Sequence, residues 1–125
     1  MSSSHMTVDI LQAFADAWNR HDIDGLMSFM TDDCVFESSA GPDVTGTVYR
    51  GRDEVRHGFM RAWQTVPNAR WNDARHFVDG DRGASQWIFT GTGTDGRAIE
   101  VAGCDLFDFR GDKIVVKNSF RKQRG

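Results

Sequence analysis

Hydrophobic positions recur at helical spacing in the first half of the chain and alternate in the second half. Leu11, Phe14, Ala15 and Trp18 follow the i, i+3, i+4, i+7 spacing of a single apolar helix face. Thr7 is placed to cap that helix and Asp9 falls in its first turn, where a negative charge suits the helix dipole. The pattern ends near residues 20–21. Asp22 then caps a short second helix with an inner face of Ile23, Leu26, Met27 and Met30, which Thr31, Asp32 and Asp33 break. Residues 34–38 read as a short strand centred on Phe36. Residues 39–51 contain Gly41, Pro42, Gly46 and Gly51 and read as a loop. Val55, Phe59 and Trp63 recur every fourth residue and predict a third helix over about 52–65, stopped by Pro67.

The second half reads as four strands, at 70–78, 84–92, 99–109 and 113–121. The turns between them are Asp79-Gly80, Asp95-Gly96 and Arg110-Gly111-Asp112. Asp-Gly between alternating segments is a strong hairpin signal, so the strands form an antiparallel meander. Helices first and a sheet afterwards give the α+β class. On the last strand, Ile114, Val116 and Phe120 make the apolar face, which packing alone would turn inward.

Composition bounds the picture. At 125 residues the chain fits one domain. Residues 1–5 read as a tag remnant before a native start at Met6, and 6–125 as a single domain. With 39% hydrophobic residues and a net charge of -3 it is neither disordered nor built to bind nucleic acid. No apolar run approaches the roughly 20 residues of a membrane span, and no signal-peptide h-region is present. The two cysteines, Cys34 and Cys104, are too few for a disulfide scaffold and read as reduced thiols in a cytoplasmic protein.

Candidate chemistry concentrates in the third strand of the meander. One face shows Ile99, Val101, Gly103, Asp105, Phe107 and Phe109. Asp105 thus sits amid an apolar stripe, where a carboxylate must pair with a cation, accept hydrogen bonds or hold its proton. A perturbed carboxylate suits a reactive site, and a structural ion pair accounts for it equally. Lys117 and Arg121 are the nearest cations if the last strand pairs with its predecessor. Phe14, Trp18, Phe36, Phe59, Trp63, Trp87, Phe89 and Phe107 converge if the helices pack on the sheet; they fill a core or line a cavity for a flat apolar ligand. His21, His57 and His76 lack metal-ligand spacing and read as surface or interface residues, so no metal and no cofactor is expected. Cys104, on the opposite face from Asp105, reads as a small buried residue. No serine lies in a nucleophile elbow and no glycine-rich loop in a phosphate cradle.

The stretches FADAWNRHDIDGL at 14–26, MTDDCVF at 30–36, YRGRDEV at 49–55 and DLFDFRGDKI at 105–114, in this order of elements, resemble the NTF2-like superfamily, in particular its SnoaL-like and ketosteroid-isomerase-like members. The resemblance spans the native chain. It implies a cone of three N-terminal helices packed on a curved antiparallel sheet that encloses an apolar pocket, usually in a homodimer. It also implies that Lys117, Ser119 and Arg121 turn toward the pocket. Ketosteroid isomerase uses an Asp base with a Tyr and a protonated Asp as oxyanion donors. Here the protonated-Asp position matches Asp105, the Tyr position matches Phe14 and the base position matches Ser38, so that mechanism does not carry over. The water-positioning Asp-Arg-Asp set of limonene-epoxide-hydrolase-like members is broken at Ser119.

The reading that results is a small SnoaL-like lyase, isomerase or cyclase with an apolar or aromatic substrate. Asp105 is its acid/base group. Lys117 and Ser119 orient a polar substrate atom, while Phe14, Trp18, Phe36, Ser38, Phe59, Trp63, Trp87 and Phe107 surround its body. The alternative is a non-catalytic ligand-binding or dimeric scaffold protein in which Asp105 is a structural partner of Lys117. Neither nucleic acid nor membrane is expected as a partner.

Overall fold

A computed structural model describes residues 4–124; of the expected tag remnant, Met1–Ser3 lie outside them. Helix α1 (Val8–Asn19) starts where the Thr7 hydroxyl accepts from the Ile10 amide at 3.1 Å, and it buries Leu11, Phe14, Ala15, Ala17 and Trp18. A left-handed residue, His21 at φ 55°, turns the chain after it. Asp22 caps the short α2 (Ile23–Met27) by accepting from the Gly25 amide at 3.0 Å. Helix α3 (Gly51–Thr65) buries Val55, Gly58 and Phe59, while Trp63 is half-buried.

Six strands form one sheet: β1 (Met30–Glu37), β2 (Val48–Arg50), β3 (Arg70–Asp79), β4 (Arg82–Thr92), β5 (Ala98–Arg110) and β6 (Lys113–Arg121), in the order β2-β1-β6-β5-β4-β3. The antiparallel meander expected from the turns is β3 to β6. The whole sheet is mixed, because β1 joins β6 in parallel. Two local expectations change. Residues 39–51 are not all loop, since Val48–Arg50 pairs with Val35–Glu37 of β1 as β2. Met30 and Thr31-Asp32-Asp33 belong to β1, with Met30 beside Ile114 and the two carboxylates exposed. No helix of the described residues is long and apolar enough to cross a membrane.

The helices lie on one face of the sheet, α1 against β3 and α3 against β1. Asn19 clamps the first of these contacts: its side chain donates to the Trp71 carbonyl at 2.9 Å and accepts from the Trp71 amide at 2.8 Å. Arg52 similarly ties α3 to the carbonyls of Met27 and Met30 at 3.1 and 2.9 Å. Phe59 anchors the core with no exposed surface, edge-on to Phe14, Trp18 and Phe36.

A bulge decides the inner face of β6. Asp108 pairs with Val116 and Phe109 with Ile114, so Val115 is an extra residue on β6. Alternation restarts across it. Ile114 is buried on the helix side, and so are Lys117 and Ser119, while Phe120 points outward and is exposed. The apolar face expected at Ile114, Val116 and Phe120 is therefore split between the two sides. Cys104 lies on the face opposite Asp105, as alternation requires, but it is half-buried rather than buried.

Candidate functional site

Strand alternation carries one polar row across the inner face: His76 on β3, Ser85 on β4, Asp105 on β5 and Ser119 on β6 are consecutive cross-strand partners. Ser85, Asp105, Ser119 and the neighbouring Lys117 are the buried polar residues of the domain among those described. The Asp105 carboxylate accepts three hydrogen bonds. Oδ1 takes Lys117 Nζ at 2.9 Å and the Ser119 hydroxyl at 2.5 Å, and Oδ2 takes the Trp87 indole Nε1–H at 3.0 Å. Lys117 Nζ also donates to Ser119 Oγ at 2.8 Å, closing a triangle. Both side chains of this salt bridge are more than nine-tenths buried.

Lys117 is caught between opposing effects. Burial pushes its ammonium down from the ordinary lysine value, and the adjoining Asp105 charge opposes this. Its Nζ also lies 5.0, 4.9 and 5.8 Å from the ring centres of Trp18, Phe36 and Phe59, close enough for cation–π attraction. Arg121, next on the same inner row of β6, stacks its guanidinium 3.9 Å from the Phe89 ring centre, and its buried Nε–H has no partner.

Two cavities flank this cluster. The larger, about 230 Å³, opens between the end of β1, the 38–47 loop and α3. Lys117, Ser119 and Arg121 form its floor, Trp18, Phe36, Trp71 and Trp87 its apolar walls, and Ser38, Thr47, Tyr49, Arg61 and Thr65 its mouth and rim. The smaller, about 20 Å³, lies behind, between Phe14, Ser85, Asp105, Phe107 and the inner sides of Trp18, Trp87 and Lys117. It has room for one water molecule. Asp105 lines only this inner hollow, so Lys117 and Ser119 stand between its carboxylate and the larger cavity.

Of the residues singled out from the sequence, Trp18, Phe36, Ser38, Trp87, Lys117 and Ser119 meet at the larger cavity. Asp105, Phe14 and Phe107 lie behind them, and Phe59 sits in packed core beneath the ammonium. Trp63 lies off the site, stacked on His21 at 5.0 Å. Arg121 lines the cavity as the family resemblance implied, whereas Trp71, Tyr49 and Arg61 line it without having been singled out from the sequence. Among the described residues no group of three or more His, Cys, Asp or Glu side chains is gathered to hold a metal ion.

The SnoaL-like domain model matches residues 11–117, and the chain belongs to this family. No curated protein matches it in sequence. Solved structures give the fold. A provisionally named polyketide cyclase from Pseudomonas putida superposes with a TM-score of 0.82 at 14% identity, over 95% of this chain and 93% of that one. A protein of unknown function with a cystatin-like fold from Xanthomonas campestris gives 0.81 at 22% identity, over 94% and 92%. A ketosteroid-isomerase-like fold from Catenulispora acidiphila, solved with trimethylamine, gives 0.78 at 18%, over 92% and 86%. The chain is thus an NTF2-like protein of the α+β cone type.

Proposed function

We propose that this chain is a SnoaL-like acid/base enzyme that acts on a small, flat, largely apolar molecule carrying an activated carbonyl, as in isomerase, lyase or cyclase chemistry. The observation that carries the reading is the buried triangle of Asp105, Lys117 and Ser119, in which Lys117 and Ser119 floor an aromatic-walled cavity and Asp105 stands behind them. Such a cluster can move a proton without any group from outside. The substrate C–H bond beside the carbonyl breaks, and its electron pair moves onto the carbonyl oxygen next to the Lys117 ammonium. The proton passes to Ser119 Oγ as the Ser119 hydroxyl proton passes to Asp105 Oδ1. A preorganised cation at the developing oxyanion lowers the barrier, and one positioned acid/base group contributes typically ~10²–10⁴-fold.

A steroid-isomerase mechanism is not supported, because Phe14 and Ser38 supply neither the phenol nor the carboxylate base that it needs. The Catenulispora relative is solved with trimethylamine. In this chain the faces of Trp18, Phe36 and Phe59 are already taken by Lys117, which argues against an amine guest there. A second reading, a non-catalytic ligand-binding protein, is favoured by one observation: all three donors around Asp105 are satisfied within the protein. The outer sheet face, with exposed Phe77, Leu106 and Phe120, fits a homodimer contact.

Deuterium exchange at the α-carbons of 2-tetralone, a compact aryl-fused ketone, separates the two readings. The enzyme reading predicts exchange well above buffer for the wild type and its loss in Lys117→Met and Ser119→Ala. Exchange no faster than buffer, or unchanged in both folded variants, overturns it in favour of the binding reading.

A further inference from the structure

The charges around the larger cavity do not balance. Its floor and rim hold three cations, Lys117, Arg121 and Arg61, and no Asp or Glu side chain lines it. Asp105, behind the floor, is matched to Lys117 at 2.9 Å. Among the described residues no carboxylate lies within salt-bridge distance of Arg121 or Arg61. Arg121 is half-buried against Phe89, where an unmatched cation is costly.

The unspent hydrogen-bond groups point the same way. The hydroxyl hydrogens of Ser38 and Thr47 go to the Ala40 carbonyl at 2.7 and 3.2 Å, that of Thr65 to the Arg61 carbonyl at 3.0 Å and that of Ser119 to Asp105. Among the described lining residues, the fully buried donors without a partner are Arg121 Nε–H and the indole Nε1–H of Trp18, a wall residue 95% buried. Unmatched positive charge and spare N–H donors, enclosed by Trp18, Trp71 and Trp87, describe a receptor for an anion on a planar body.

We propose that the cavity takes a compact aromatic or conjugated carboxylic acid, with its carboxylate held by Arg121 and its ring between the tryptophans. This rests on the cavity being the substrate site and narrows the substrate class. The acid group sits at Arg121 while the reacting carbonyl lies at Lys117, four residues away on the same inner row of β6, with Ser119 between them. The guanidinium fork is suited to two-point capture of a carboxylate, and a neutral isostere leaves it unmatched.

Three probes of one shape test this: 1-naphthoate, 1-naphthamide and 1-naphthylmethylammonium, titrated against intrinsic tryptophan fluorescence at neutral pH and low salt. The expected result is naphthoate binding at least about tenfold tighter than naphthamide, with the ammonium weakest. Arg121→Gln should abolish the preference while naphthamide affinity holds, and Arg121→Lys should restore part of it. Equal affinity for the three probes overturns the anion assignment and leaves the cavity as a ligand site. Failure of every probe to bind overturns the cavity reading itself and the assignment with it. Circular dichroism of the variants confirms that each comparison is made on folded protein.

Discussion

Gly103 lies directly across the β4–β5 ladder from Trp87, and a methyl group placed on it would collide with the far edge of the indole and with the Phe120 carbonyl. The absence of a side chain at 103 thus lets the indole lie flat on β5 and bring its N–H to Asp105. Gly103→Ala should displace Trp87, break that hydrogen bond and cost about 1–3 kcal/mol, as overpacking does. Urea denaturation and the tryptophan emission maximum check this; an unchanged midpoint and spectrum would show that the indole position does not depend on Gly103.

Lys117 and Asp105 form the buried ion pair of the core. Removing one partner strands the other charge, at a cost of about 3–5 kcal/mol. Lys117→Met should therefore be strongly destabilised, and adding Asp105→Asn should recover part of the loss. A double-mutant cycle by chemical denaturation gives the coupling. Additive losses would mean that the two side chains act independently.

His76 ends the polar row, its Nδ1 2.7 Å from Ser85 Oγ and its Nε2 2.9 Å from Gln12 Oε1. Burial against α1 and β4 lowers its pKa from the ordinary imidazole value, although Asp16 on α1 pulls the other way. The unfolded chain then binds a proton more readily than the folded one. Stability contributed by neutral His76 is present above about 6.5 and falls as pH drops from there through the lowered folded value. Melting temperatures from pH 7.5 to 5 should decline for the wild type and decline less for His76→Gln. Identical slopes would rule out His76 as a contributor.

The outer face of the sheet carries Leu106 at 41% and Phe120 at 48% exposure, next to half-buried Cys104. If this face joins two copies, the double variant Leu106→Glu, Phe120→Glu should sediment as a monomer where the wild type is a dimer. A wild type that is already monomeric at high concentration contradicts the homodimer proposal.

Much of this layout could be read from residue patterns, and the exceptions have physical causes. Helix α1, strand β4 and the second half of β5 bury one continuous face each, so periodicity assigns them, and with β5 comes the inward position of Asp105. Strand β6 defeats simple alternation because Val115 is inserted, and nothing in the run Ile114-Val115-Val116 marks which residue is extra. Strand β2 is only three residues long and exists because β1 offers an edge, a tertiary effect invisible in its own sequence. Trp71 escaped notice as a wall residue because β3 is also bulged, with Asp73 at φ 57°. The pairing of Asp105 with Lys117 followed from cross-strand geometry. The position of that carboxylate behind Ser119 and Lys117, away from the larger cavity, depended on side-chain directions that no pattern encodes.

Proton transfer through Ser119 requires Asp105 as the final acceptor. The most direct measurement is the 2-tetralone exchange rate of Asp105→Asn beside wild type, each confirmed folded, because the amide keeps the shape but cannot take the proton. If Asp105 is the acceptor, the rate falls by roughly 10²–10⁴-fold. A folded Asp105→Asn protein that exchanges as fast as wild type would contradict it.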